Sequence, residues 1–104
     1  MGSARRDLRK SPKAVHNSIG LDLYTVQCGM MPDAAKPFKG LKGVMEIVER
    51  YATDTYRALY VATLDDTVYV LHCFKKKSKH GVKTPQADID VVTQRYKQAR
   101  VLAR

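Results

Sequence analysis

The chain has 104 residues, 44% hydrophobic and 28% charged, the make-up of one ordinary globular domain with a modest core. Nineteen lysines and arginines against ten acids leave a net charge of +9, which favours polyanionic partners, nucleic acid first. No N-terminal signal core is present, no run reaches the roughly 18 apolar residues of a membrane span, and two cysteines make no disulfide framework. A cytoplasmic protein without membrane attachment is expected, with Cys28 and Cys73 as small buried residues and no cofactor or metal site.

The segment ARRDLRK (residues 4–10) predicts a short basic helical turn that Ser3 would cap. Ser11-Pro12 then reads as an N-cap and first-turn proline for a second helix. Val15, Ile19, Leu23 and Val26 recur at helical spacing and give it one core stripe. Gly20 inside it costs roughly 1 kcal/mol relative to alanine, and Gly29 is a natural stop. Residues 30–43 read as loop, because Pro32, Pro37, Gly40 and Gly43 break regular structure. That loop carries Lys36, Lys39 and Lys42. Residues 44–50 (VMEIVER) read as a strand, and 51–55 turn the chain back.

Residues 56–62 and 67–74 are β-prone runs on either side of Leu64-Asp65-Asp66, which predicts a hairpin. Its second strand leads into Lys75-Lys76-Lys77, with Lys79 and Lys83 beyond. Gly81 ends the loop, and Thr84-Pro85 caps a last helix with Asp88 and Asp90 near its first turn. Ile89, Val92, Tyr96 and Ala99 form that helix's apolar stripe. The order is helix, helix, strand, strand, strand, helix. One α+β domain over residues 1–104 is expected, with an antiparallel meander of about three strands.

A two-residue loop at Asp65-Asp66 sets Val61 across from Val70, Leu59 from His72 and Arg57 from Phe74. One face then carries Arg57, Leu59, Val61, Val70, His72 and Phe74, with Lys76 next. The other carries Tyr56, Ala58, Tyr60, Ala62, Tyr69, Leu71, Cys73 and Lys75. Cations converging beside an aromatic suit a phosphodiester and its base, in one shallow groove. Blander readings stand beside this one. Arg57 pairs with Glu46 or Glu49 across the sheet, His72 is a satisfied half-buried histidine, and the lysine run is a solvated edge. The tyrosines read as packing rather than stacking platforms.

The pieces GSARRDL, PDAAKPFKGL, VMEIVE, TYRALYVA and VYVLHCFKKKSKHGVKTP, with ADID and VVTQRYKQA in the last helix, resemble one known family. It is the HigB-like, phage-derived branch of the RelE/ParE toxin superfamily. The likeness covers almost the whole chain, and the hairpin with its FKKKSK end is the most specific part. It implies the toxin of a type II toxin–antitoxin system, a ribosome-dependent mRNA endonuclease that inhibits translation. A helix-turn-helix antitoxin from the same operon would hold it inactive.

The implied chemistry is metal-independent: the 2′-OH of a nucleotide attacks the adjacent phosphate. Carried over to this chain, Arg57 binds the scissile phosphate, and Lys76 and Lys77 bind phosphate and move protons; His72, one step away on the same face, is the fourth catalytic candidate. Lys75, Lys79, Lys83, Lys36, Lys39 and Lys42 would be RNA contacts. The family's usual first strand would precede the GS-x-R-x-DL segment, where Met1 already falls; an open sheet edge inviting self-association is therefore expected. Two alternatives remain. One is a non-catalytic module that binds nucleic acid or only its antitoxin. The other is a gyrase-targeting toxin of the ParE type, which lacks the cationic set.

Overall fold

Two hydrophobic layers form, one on each face of a single antiparallel sheet. The computed structural model describes residues 4–38, 40–51, 54–62, 68–77 and 86–102, with the backbone alone at Arg5, Lys76 and Lys77. The elements are α1 (Ala4–Arg9), α2 (Lys13–Gln27), β1 (Ala35–Pro37), β2 (Met45–Tyr51), β3 (Asp54–Ala62), β4 (Val68–Lys77) and α3 (Gln86–Leu102). The strands lie in the order β1-β2-β3-β4, so the expected α+β meander is present, with one strand more than the sequence suggested.

The extra strand is β1, inside the stretch expected to be loop. Ala35, Lys36 and Pro37 pair with Ile47, Glu46 and Met45. Pro37 ends this three-residue edge strand, where its missing N–H disturbs no inner ladder.

On one face Ala4, Val15 and Ile19 pack with Ile47, Ala58, Tyr60 and Cys73. The helical spacing on α2 thus does turn Val15 and Ile19 inward, while Leu23 and Val26 are half-buried at the margin. On the other face Val92 and Ala99 of α3 cover Val44, Leu59 and Leu71. Gly29, at φ 85°, lets the chain leave α2 in a left-handed conformation. The cysteines part ways: Cys73 is buried, but Cys28 is exposed, because it sits at the C-terminal cap of α2 rather than on its stripe. Pro12, not Ser11, occupies the N-cap of α2, and the Ser11 hydroxyl turns back to the Leu8 carbonyl.

The hairpin register is half as expected. Arg57↔Phe74 and Leu59↔His72 hold, but a bulge follows, and Tyr60 pairs with Val70 and Val61 with Tyr69. Leu71 is the extra residue on β4. Beyond it the faces exchange: Leu71 and Tyr69 join the α3 layer, while Val70 and Val68 pack under α2. Ser3, the hairpin turn at 64–66, Gly81 and Thr84-Pro85 lie outside the described residues. Among the described residues no helix is long and apolar enough to cross a membrane.

Candidate functional site

Pairing across four strands sets polar groups in rows on the α3 face. One row runs Lys36, Glu46, Leu59, His72, and the next runs Val48, Arg57, Phe74. Strand pleating points the members of each row the same way. Glu46 and Arg57 are diagonal neighbours between rows and meet at 2.9 Å, Oε2 to Nη1. Lys36 Nζ lies 3.6 Å from Glu46 Oε1. The side chains of Glu46 and Arg57 are only 5% and 9% exposed.

The expectation of Arg57 free in an open groove therefore gives way to its alternative, a cross-strand pair with Glu46. Neighbouring strands supply opposite charges at adjoining positions, and a buried guanidinium without an anion beside it would be costly. The pair is not saturated. Arg57 Nε is buried with no hydrogen-bond partner among the described residues, and Glu46 Oε2 has ion-pair contact without hydrogen-bond geometry.

His72 is braced from α3. Its Nε2 meets Asp88 Oδ1 at 2.7 Å, and Arg95 Nη1 stands 3.5 Å from its Nδ1. The same Arg95 nitrogen donates to the Leu71 carbonyl at 2.8 Å, which satisfies the backbone at the bulge. The imidazole stacks on Phe74 with centroids 5.1 Å apart. Both ring nitrogens are thus engaged by α3, the geometry of a satisfied histidine, here buried rather than half-buried. Asp88, read from the sequence as a first-turn acid, also ties helix to sheet.

Lys75 points to the opposite face and lies 3.8 Å from Asp54 Oδ2, with its side chain half exposed. Lys76 and Lys77 continue β4 opposite Thr55 and Asp54; their side chains are outside the described set. Lys42 is exposed in the loop before β2, where its carbonyl accepts the Tyr96 hydroxyl at 2.8 Å. Lys39, Lys79 and Lys83 lie outside the described residues. The structure therefore groups Arg57, His72, Phe74 and, through Glu46, Lys36.

A cavity of about 390 Å³ at this end of the sheet is lined by Arg57, His72 and Phe74. Tyr56, Cys73 and Lys75 from the same strands also line it, as do Leu8, Lys10 and Ser11 from α1 and the turn after it. Burial, with a smaller push from the Asp7 charge, raises the Cys73 thiol to about 12. It is no nucleophile at neutral pH. Among the described residues no cluster of three His, Cys, Asp or Glu could hold a metal.

The family model for phage-derived Gp49-like proteins (DUF891) matches residues 6–97. That family is one of RelE/toxin-like proteins. No curated protein and no solved structure matches the chain.

Proposed function

Because the chain belongs to the phage-derived Gp49-like family, we propose that it is the toxin of a toxin–antitoxin pair and that it cleaves mRNA on the ribosome. The observation that carries the proposal is the hairpin: one continuous strand, β4, runs from the braced His72 into Lys75-Lys76-Lys77 beside Arg57. Lysines at the strand end attract and seat the phosphates. Arg57, whose buried Nε–H has no partner among the described residues, stabilises the charge that grows on the scissile phosphate as the 2′-OH attacks. Glu46, held against that guanidinium, is the carboxylate suited to take the hydroxyl proton as the 2′-O–P bond forms and the P–O5′ bond breaks. A lysine at the strand end returns a proton to the departing 5′-oxygen, leaving a 2′,3′-cyclic phosphate. His72 serves as a brace for this end of the sheet. A helix-turn-helix antitoxin from the same operon would be the inhibitor.

A second reading has one observation in its favour: Arg57 is already compensated by Glu46, as in a module that binds RNA without cutting it. Induced expression separates the two, with growth and mRNA ends followed in parallel. Arg57→Lys keeps a charge beside Glu46 but loses the planar fork, so it preserves the fold and should slow cleavage on the order of 10²–10³-fold. Lys76→Ala should weaken cleavage similarly. Growth arrest without new mRNA ends, or cleavage indifferent to Arg57→Lys, would move the binding module ahead.

A further inference from the structure

Away from the lysine run, the outer side of α2 and the turn after it form an unpartnered apolar face. Leu21, Tyr24, Met30 and Met31 are each more than 60% exposed, four of the seven large apolar side chains that stand out in solvent among the described residues. Two depressions of about 430 and 300 Å³ adjoin this face and share Met31. The larger also holds Asp22, Asp33 and Glu49, and among the described residues no lysine or arginine lines either one. In a chain with nearly twice as many cations as acids, that exclusion is a marked segregation of charge.

The acids are also short of counter-charge. Glu49 hydrogen-bonds Asp22 and is held up to about 7 by burial first and by Asp22 second. Asp22 Oδ2 is buried without a hydrogen-bond partner among the described residues. A cation laid here would relieve the repulsion, while the flanking methionines and Tyr24 would cover aliphatic stems and neighbouring apolar groups. Nucleic acid and anionic lipid are the wrong sign for this face.

We propose that the α2 face is a docking surface for a protein segment of opposite design, an amphipathic stretch whose apolar side chains are flanked by lysine or arginine. The surface goes beyond the RNA-directed reading, uses none of its residues, and stands or falls separately. Its charge predicts a preference that the +9 chain as a whole would reverse, since bulk electrostatics favours an acidic peptide.

The test uses the full-length protein and two labelled helical peptides with identical leucine faces, one flanked by lysines and its twin by glutamates. Fluorescence anisotropy should show the lysine peptide binding about tenfold tighter or more. Met31→Asp should abolish that binding and Glu49→Lys should reverse the preference. Both residues stand near the surface, so thermal melts of the variants should show a folded protein. Replacing Lys75, Lys76 and Lys77 together with alanine should not weaken the lysine peptide's binding, because it only lowers the repulsion from the bulk charge. Tighter binding of the glutamate peptide, or lysine-peptide binding indifferent to Met31→Asp, would overturn the proposal. So would sedimentation showing a self-associated protein that Met31→Asp turns into a monomer, because the face would then belong to a second copy.

Discussion

The two faces of this sheet handle charge in opposite ways. Under α3, the buried charges among the described residues meet the opposite sign, with Glu46 between Arg57 and Lys36, and His72 is hydrogen-bonded to Asp88. Under α2, the carboxylates of Asp22 and Glu49 meet each other, and apolar side chains face water. The first arrangement fixes geometry from within, while the second is relieved only by something from outside. A basic chain can therefore carry both a rigid cationic site and a surface suited to cations, provided the sheet keeps them on different sides.

Breaking the α3-face arrangement should have the largest effect. Glu46→Ala leaves Arg57 buried without its anion and should cost about 3–5 kcal/mol in denaturant unfolding. Replacing both partners with apolar residues should restore most of that loss. A cost under about 1 kcal/mol would mean that the pair behaves as a solvated surface contact.

Next in size are the α2 contacts, where the helical stripe is tested by depth. Ile19 is 1% exposed, so Ile19→Ala should cost about 2–5 kcal/mol. Leu23 is only half-buried, so Leu23→Ala should cost clearly less than Ile19→Ala in the same assay. Equal losses would show that Leu23 is packed as tightly as Ile19.

Much of this was legible beforehand, and the misses have physical causes. Helix periodicity found α2 and α3, and two β-prone runs found β3 and β4. Short β1 was hidden because Pro32, Pro37, Gly40 and Gly43 outweighed three strand residues whose pairing is wholly non-local. The bulge at Leu71 could not be read from alternation, since both faces of β4 are apolar and either phase looks equally good. Glu46 was visible as a possible mate for Arg57, because adjoining strands and opposite charges suffice to suggest it. Asp88 was visible only as a helix-end acid: nothing local announces that a residue 16 positions on will brace His72. The lysines split for a similar reason, as strand pleating sends Lys75 to the face opposite Arg57.

The acid pair sharpens the contrast through pH. Glu49 is raised from 4.5 to about 7, so the folded protein holds a proton that the unfolded chain releases more readily. The sign follows: this group weakens the fold as pH rises from about 4.5 to about 7, and its penalty is complete above that. Glu49→Gln should remove that slope and raise the melting temperature at pH 8 while leaving it nearly unchanged at pH 4. Partial exposure screens the effect, which should stay well below that of Glu46→Ala. A melting profile with the same slope in Glu49→Gln and wild type would mean that neither burial nor Asp22 raises Glu49.

The smallest effect belongs to the one described ion pair at the lysine end. Lys75 and Asp54 stand 3.8 Å apart, with side chains 48% and 23% exposed, so water screens them and each spends rotamer freedom to meet the other. Asp54→Ala should therefore cost no more than about 1 kcal/mol, and the cost should fall as salt is added. The same substitution frees Lys75 at the strand end where phosphates are proposed to sit. If Lys75 is an RNA contact, Asp54→Ala should tighten RNA binding slightly and steepen its salt dependence, because one more cation is free to displace counterions. A loss of several kcal/mol would instead mark this end of β4 as a second buried brace, erasing the difference between the lysines at the rim and the arginine beneath α3.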